Sequence, residues 1–271
     1  MRAHRSLRCI PAGTLAIILI GSMGGAASAA PPANDDRSEA VVVGALPFTD
    51  GRDTSEATPQ DNDPDCFVGR GAPTVWYSFT PSQGGRYGAT TRGSDYDTTL
   101  LVAARNDGGG LEIIDCNDDA EDGQHSSVVW QAQAGQEYLL MVGSWAGTPA
   151  GALEFRIVRN PPVPRVNVTV AKKGTINKFG AAVIRGRIKC SNAGGAAPFV
   201  EVVVKQNAGR FVFRGIGGTQ ARCNQPWRVR VPGNIGSFAR GKVTARALAG
   251  ACSTFGCGFD EARQTVKLKK Q

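Results

Sequence analysis

The sequence predicts an all-β protein made of two β-sandwich domains in tandem, and three observations predict it. Almost no segment carries a helical period. Short β-branched and aromatic runs recur between Gly-rich turns. The same signature restarts after a proline-rich stretch, with the opposite charge. A chain of 271 residues can bury two modest cores. Its 41% hydrophobic and 20% charged residues exclude a disordered polyelectrolyte, and 35 Gly without a period of three exclude a collagen.

Taken in order, residues 1–29 read as a secretory signal peptide. Arg2, His4, Arg5 and Arg8 form a basic start, residues 14–20 an apolar centre, and Ala27-Ser28-Ala29 a small-residue cleavage site. An uncleaved N-terminal anchor is the alternative. The apolar run is too short to span a bilayer, and no later stretch has transmembrane length, so the expected location is extracellular. Cys9 precedes the apolar run, where a lipid-acceptor cysteine would follow it.

Residues 31–159 form the first predicted sandwich. Residues 74–80 (Thr-Val-Trp-Tyr-Ser-Phe-Thr) are stopped by Pro81, and runs at 86–92, 98–105, 111–115, 126–132, 136–144 and 152–158 follow. Seven or eight such strands argue for an antiparallel sandwich or jelly roll. Residues 160–165, with Pro161, Pro162 and Pro164, form a stiff linker. Residues 166–271 form the second sandwich. Ile184, Ile188 and Cys190 share one face while Arg185, Arg187 and Lys189 share the other. Trp227, Val229 and Val231 alternate with Arg228 and Arg230, and Val243, Ala245 and Ala247 with Lys242, Thr244 and Arg246. With runs at 166–171, 199–206, 211–216 and 265–269, this gives about seven strands, an immunoglobulin-like number.

Beyond the signal, six cysteines remain, an even number that reads as disulfides in an exported protein. Cys66 and Cys116 are alone in the first domain and pair with each other or stay free. Cys252 and Cys257 fit a short clip across a hairpin, which leaves Cys190 with Cys223. Closing the roughly 50-residue first loop stabilises by up to about 4 kcal/mol. A zinc site from the four later cysteines is the alternative, but they lack paired C-x-x-C knuckles.

The formal charge of +8 conceals a bipolar molecule. Residues 31–160 hold 20 Asp/Glu against 8 Arg, a net of −12, whereas residues 161–271 hold 20 Lys/Arg against 3 acids, a net of +17.

The first half resembles the bacterial pre-peptidase C-terminal (PPC) domain. The matching segments are Asn34-Asp35-Asp36, residues 74–80, Gly93-Ser-Asp-Tyr-Asp-Thr-Thr-Leu100, Cys116-Asn-Asp-Asp119, and residues 134–143 (Ala-Gly-Gln-Glu-Tyr-Leu-Leu-Met-Val-Gly). The resemblance covers about residues 33–158 and implies a jelly-roll-like, non-catalytic module. Some relatives bind calcium and some bind a matrix polymer or carbohydrate. The second half is similar to β-sandwich modules of unknown function in secreted actinobacterial proteins, through Gly186-Arg-Ile-Lys-Cys190, Trp227, residues 241–247 and the late cysteine clip.

Two surfaces are candidates for function. The acidic clusters Asn34-Asp35-Asp36, Asp61-Asn-Asp63-Pro-Asp65, Asp95 with Asp97, and Asn117-Asp118-Asp119 with Asp122 offer the hard oxygens calcium needs. The resemblance favours Asn34 and Asp35 closing against Asp95 or Asp97. The alternative is that these residues only form turns. In the second half, Arg185, Arg187, Lys189, Arg228, Arg230, Lys242 and Arg246 fall on the outward register. They suit an anionic cell-envelope polymer or lipid headgroups, or else form a solvated face. Sequence-specific nucleic-acid recognition is not expected, because few aromatic residues sit among the cations.

Catalytic signals are weak. The mature chain has one histidine, His125, and no Gly-x-Ser-x-Gly elbow. Trp76 and Trp130 lie within strands and suit a core, whereas Trp145 in a Gly-rich loop suits ligand contact. The expectation is a secreted, non-catalytic binding or cell-surface protein for an extracellular polysaccharide, matrix protein or anionic polymer. A hydrolase with an acidic site in the first domain, and a structural protein whose oppositely charged halves dock, are the alternatives.

Overall fold

A computed structural model describes residues 30–67, 72–120, 123–194 and 197–270. The predicted signal segment and Asp122 lie outside the described residues. The first half contributes nine strands: β1 (Val41–Val43), β2 (Phe48–Asp53), β3 (Thr74–Phe79), β4 (Gly85–Thr90), β5 (Thr98–Arg105), β6 (Leu111–Asn117), β7 (Ser127–Ala132), β8 (Tyr138–Ser144) and β9 (Ala152–Arg159). One layer has the order β1-β3-β8-β5-β6 and the other β2-β9-β4-β7. Pairing is antiparallel except for β1 with β3. From β2 to β9 the chain crosses between the layers in the interleaved order of a jelly roll.

Between the layers, Tyr77 stacks on Phe155 at 4.1 Å, and Phe79, Tyr87, Trp130 and Tyr138 form a second aromatic cluster. The strands β3 and β8 are buried on both faces, which explains their unbroken apolar sequence. Their outer face is covered by the β2–β3 loop, where Cys66 and Ala72 pack with Trp76, Leu101 and Met141. The Cys66–Cys116 disulfide ties that loop to β6. Trp76 and Trp130 are therefore core residues.

The second half contributes β10 (Arg165–Val170), β11 (Lys173–Ile176), β12 (Ala182–Ser191), β13 (Phe199–Ala208), β14 (Phe211–Gln220), β15 (Pro226–Val231), β16 (Gly241–Ser253) and β17 (Gly256–Lys270). β12 carries β10 on one edge and β15 on the other, while β11, β17, β16, β13 and β14 form the facing layer. β11 joins the layers: it runs parallel to β17 and also pairs the start of β12 through Thr175–Val183 and Ile176–Ala182. This sheet-switching first edge gives an immunoglobulin-like sandwich. Its core follows the predicted alternation, with Ile184, Ile188, Trp227, Val229, Val231 and Val243 inward. Cys190–Cys223 ties the end of β12 to the β14–β15 connection, and Cys252–Cys257 clips the β16–β17 hairpin.

That clipped hairpin reaches the first sandwich. Phe255 and Pro161 fill the space above Gly88, where a Cβ would lie 2.8 Å from the Phe255 ring. Arg86 donates to the carbonyls of Pro161 and Phe255, and Ser127 Oγ donates to Thr254 O at 2.5 Å. The ion pairs Arg52–Asp50, Arg105–Glu137 and Arg246–Glu261 each stay inside one sandwich. Arg92 also donates to Thr254 Oγ1 at 3.2 Å, so the contact between the halves includes an aromatic wedge and several hydrogen bonds.

Candidate functional site

The β11–β12 turn is shaped by Asn177, whose side-chain oxygen accepts from the N–H groups of Phe179 and Ala181 at 3.0 Å each. Gly180 completes it with φ of +76°, a left-handed conformation that glycine adopts without strain. A Cβ there would collide with Ser237 Oγ at 2.0 Å, so glycine also permits the β15–β16 loop to approach. The turn thrusts Lys178 and Phe179 outward, with Lys178 Nζ 5.1 Å from the Phe179 ring centre.

The β15–β16 loop is pinned beside this turn. Phe238 is buried and donates its N–H to Gly180 O, and Gln206 makes two hydrogen bonds of 2.8 Å with the Ala239 backbone. Between the turn, the loop and β15 opens a cleft of about 960 Å³. Lys178, Arg228, Arg230, Arg240 and Lys270 line it with Phe179, and among the described residues no acidic side chain does. A second recess of about 400 Å³ shares Arg240 and Lys270 and adds Lys267 and Lys269.

Strand register stacks further like charges. Lys173, Lys267 and Lys242 lie side by side across β11, β17 and β16. Arg185 lies directly opposite Arg228. Like charges opposite one another destabilise a sheet by roughly 0.2–1 kcal/mol per pair. This arrangement costs stability in the free protein, and an anion would relieve it.

The seven basic residues anticipated from sequence do not share one face. Arg185, Arg187, Lys189, Arg228 and Arg230 project from the β10-β12-β15 layer, and Lys242 and Arg246 from the opposite layer. Outward means opposite directions in the two layers, so alternation alone merges the two faces. Only Arg228 and Arg230 of the seven line the large cleft. Arg246 pairs with Glu261. Lys178, Arg240 and Lys270 complete the cleft and were missed, because turn residues and strand ends carry no alternation to mark them.

The acidic candidates of the first half are held by separate partners, although Asp97 lies within electrostatic reach of Asp118 and Asp119. Asp35 accepts from Thr58 through both oxygens, Asp36 caps the short turn Arg37–Glu39, and Asp95 Oδ1 accepts from Ala152 N–H. Asn34 is buried, and its amide donates to Trp76 O. Asp63 Oδ2 accepts from Thr74, whereas its Oδ1 is buried and has no hydrogen-bond partner. Burial raises the Asp63 pKa above the ordinary carboxylate value against the opposing pull of Thr74 and Gln60. Burial, then the charges of Asp119 and Asp118, raise that of Asp97, with His125 opposing. Asp61 is an exposed turn residue. Among the described residues, no group of three or more His, Cys, Asp or Glu side chains gathers as metal ligands. His125 Nε2 lies 2.9 Å from Ser94 O.

Trp145 is 43% exposed at the first sandwich's rim, where its backbone N–H donates to Asp97 O. The next residue, Ala146, donates to Phe67 O, which brings a second exposed aromatic residue to the same rim.

No protein-family model matches the chain. Comparison with curated proteins returns no match. Among solved structures, the chain is similar to Bacteroides uniformis β-glucuronidase 2 covalently bound to cyclophellitol-6-carboxylate aziridine, at 6% identity and a TM-score of 0.24. The match covers 81% of this chain and 32% of that one, so the chain spans about a third of the enzyme's length. A DUF4785 family protein of Legionella pneumophila matches at 9% identity and a TM-score of 0.23, covering 89% and 68% of the respective chains. The tandem CBM22 domain of Paenibacillus barcinonensis Xyn10C matches at 11% identity and a TM-score of 0.23, covering 81% and 91%.

Proposed function

We propose that this is an extracellular, non-catalytic binding protein that holds an anionic surface through its second sandwich, with a PPC-like first sandwich carried beside it. The observation behind this reading is the cleft in which Lys178, Arg228, Arg230, Arg240 and Lys270 converge, with no Asp or Glu side chain among the described lining residues. A concave site of one charge sign concentrates counter-ions and accelerates their capture. Three disulfides agree with an oxidising compartment. No helix among the described residues is long and apolar enough to cross a membrane.

Inorganic polyphosphate is a suitable probe, because it offers repeated charge without sequence or sugar identity. In low salt the intact protein is expected to bind it, and Arg228→Glu with Arg230→Glu is expected to weaken binding by at least about tenfold. The melting temperature of the variant should match the wild type, because both side chains are exposed. Equal binding by the folded variant would move the function away from this cleft.

A second reading is favoured by Trp145 and Phe67, which bring two exposed aromatic side chains to one rim, as sugar-stacking sites do. Trp145→Ala should then abolish retention on a neutral polysaccharide and leave polyphosphate binding intact. Unchanged retention would remove this rim from the account.

A further inference from the structure

We infer that the end of the second sandwich remote from the first is a membrane-docking face, whose occupant is a bilayer of anionic lipid. The inference rests on the anion-binding reading above and adds the identity of the surface. Strand direction places three connections at that end: the β11–β12 turn, the β13–β14 turn and the β15–β16 loop. The opposite end holds the clipped β16–β17 hairpin that docks on the first sandwich.

Each remote connection exposes a large apolar side chain. Phe179 is 75% exposed, Phe211 61% and Ile235 61%. The β15–β16 loop is held to both neighbours: Phe238 N–H donates to Gly180 O of the β11–β12 turn, and Asn234 exchanges two hydrogen bonds with the Arg214 backbone of β14. Cations accompany the apolar tips, with Lys178 before Phe179, Arg210 before Phe211, and Arg240 with Lys270 beside the loop. The three acidic residues of this half, Glu201, Asp260 and Glu261, sit toward the other ends of β13 and β17.

A soluble polyanion satisfies the cations but leaves Phe179, Phe211 and Ile235 in water. A bilayer satisfies both, since headgroup charge meets the basic ring while the apolar tips enter the boundary with the acyl chains. The stems of the flanking lysines and arginines would lie along that boundary with their charges toward the phosphates. Docked in this way, the first sandwich faces away from the lipid.

The test compares flotation with vesicles of phosphatidylglycerol and phosphatidylcholine in equal parts, flotation with pure phosphatidylcholine vesicles, and binding of inorganic polyphosphate. The intact protein should float with the anionic vesicles only. Replacing Phe211→Ser and Ile235→Ser together, neither of which lines the basic cleft, should lower vesicle binding by at least about tenfold while polyphosphate binding stays unchanged. A separate Phe179→Trp variant should show a blue-shifted emission on adding the anionic vesicles. Undiminished vesicle binding by the double variant, or an emission unmoved by vesicles, overturns docking and leaves the anion-binding reading in place. So does wild-type protein that binds polyphosphate but no vesicle. Binding of neither probe overturns both.

Discussion

Gly186 faces Trp227 across the β12–β15 pair, and a Cβ there would meet Trp227 Cζ2 at 2.4 Å and Thr169 O at 1.8 Å. Gly186→Val should therefore cost at least about 3 kcal/mol, read as a lowered denaturation midpoint, because neither the backbone oxygen nor the buried indole can yield cheaply. The alternation of residues 182–190 put Gly186 on the inward face, but the indole that fills its space lies on a strand distant in sequence. Asp63 was legible as a turn former and not as a buried carboxyl. Its folded pKa is raised by burial, so the native state holds the proton more tightly than the unfolded chain. The stability it contributes is complete below the unfolded value and lost as pH rises through the folded one. Asp63→Asn should remove that decline, so the variant's melting temperature should gain on the wild type between acid and neutral pH. Parallel curves would show that this carboxyl titrates as it does in the unfolded chain.

At the scale of elements, the strands with β-branched or aromatic runs were legible to within a few residues, including β3, β5 and β8. β1, β2 and β11 were not. β2 reads Phe-Thr-Asp-Gly-Arg-Asp, with little β propensity, and is held by its pairing with β9. The inner ends of β16 and β17 were also missed, because Gly250, Gly256 and Gly258 look like turn residues. Two of these glycines mark close approach instead: a Cβ on Gly250 would meet the Phe199 ring at 2.5 Å, and one on Gly258 would meet Pro164 O at 2.0 Å. The hairpin they extend carries Phe255 to Gly88. Phe255→Ala should leave both sandwiches folded but loosen their contact, and should expose residues 160–164 to proteolysis. Unaltered cleavage there would show that the hydrogen bonds from Arg86, Arg92 and Ser127 hold the halves without the wedge.

Across the whole molecule, the charge asymmetry between −12 and +17 was the most legible functional signal in the sequence. Its use was only partly legible. The Arg228 and Arg230 side of the cleft follows from alternation along β15, whereas Lys178, Arg240 and Lys270 arrive from chain positions that only the sandwich topology brings together. The acidic half illustrates the converse, since Asp35 and Asp95, grouped by sequence with other acids, each accept from a backbone amide of their own. The account depends on the second half capturing polyanions by charge. Titrating the intact protein with polyphosphate over a series of salt concentrations tests that claim most directly. It predicts a logarithm of the binding constant that falls linearly with the logarithm of salt, with a shallower slope when Arg228 and Arg230 are both replaced by Glu. A binding constant indifferent to salt, or a slope the double variant does not change, would contradict it.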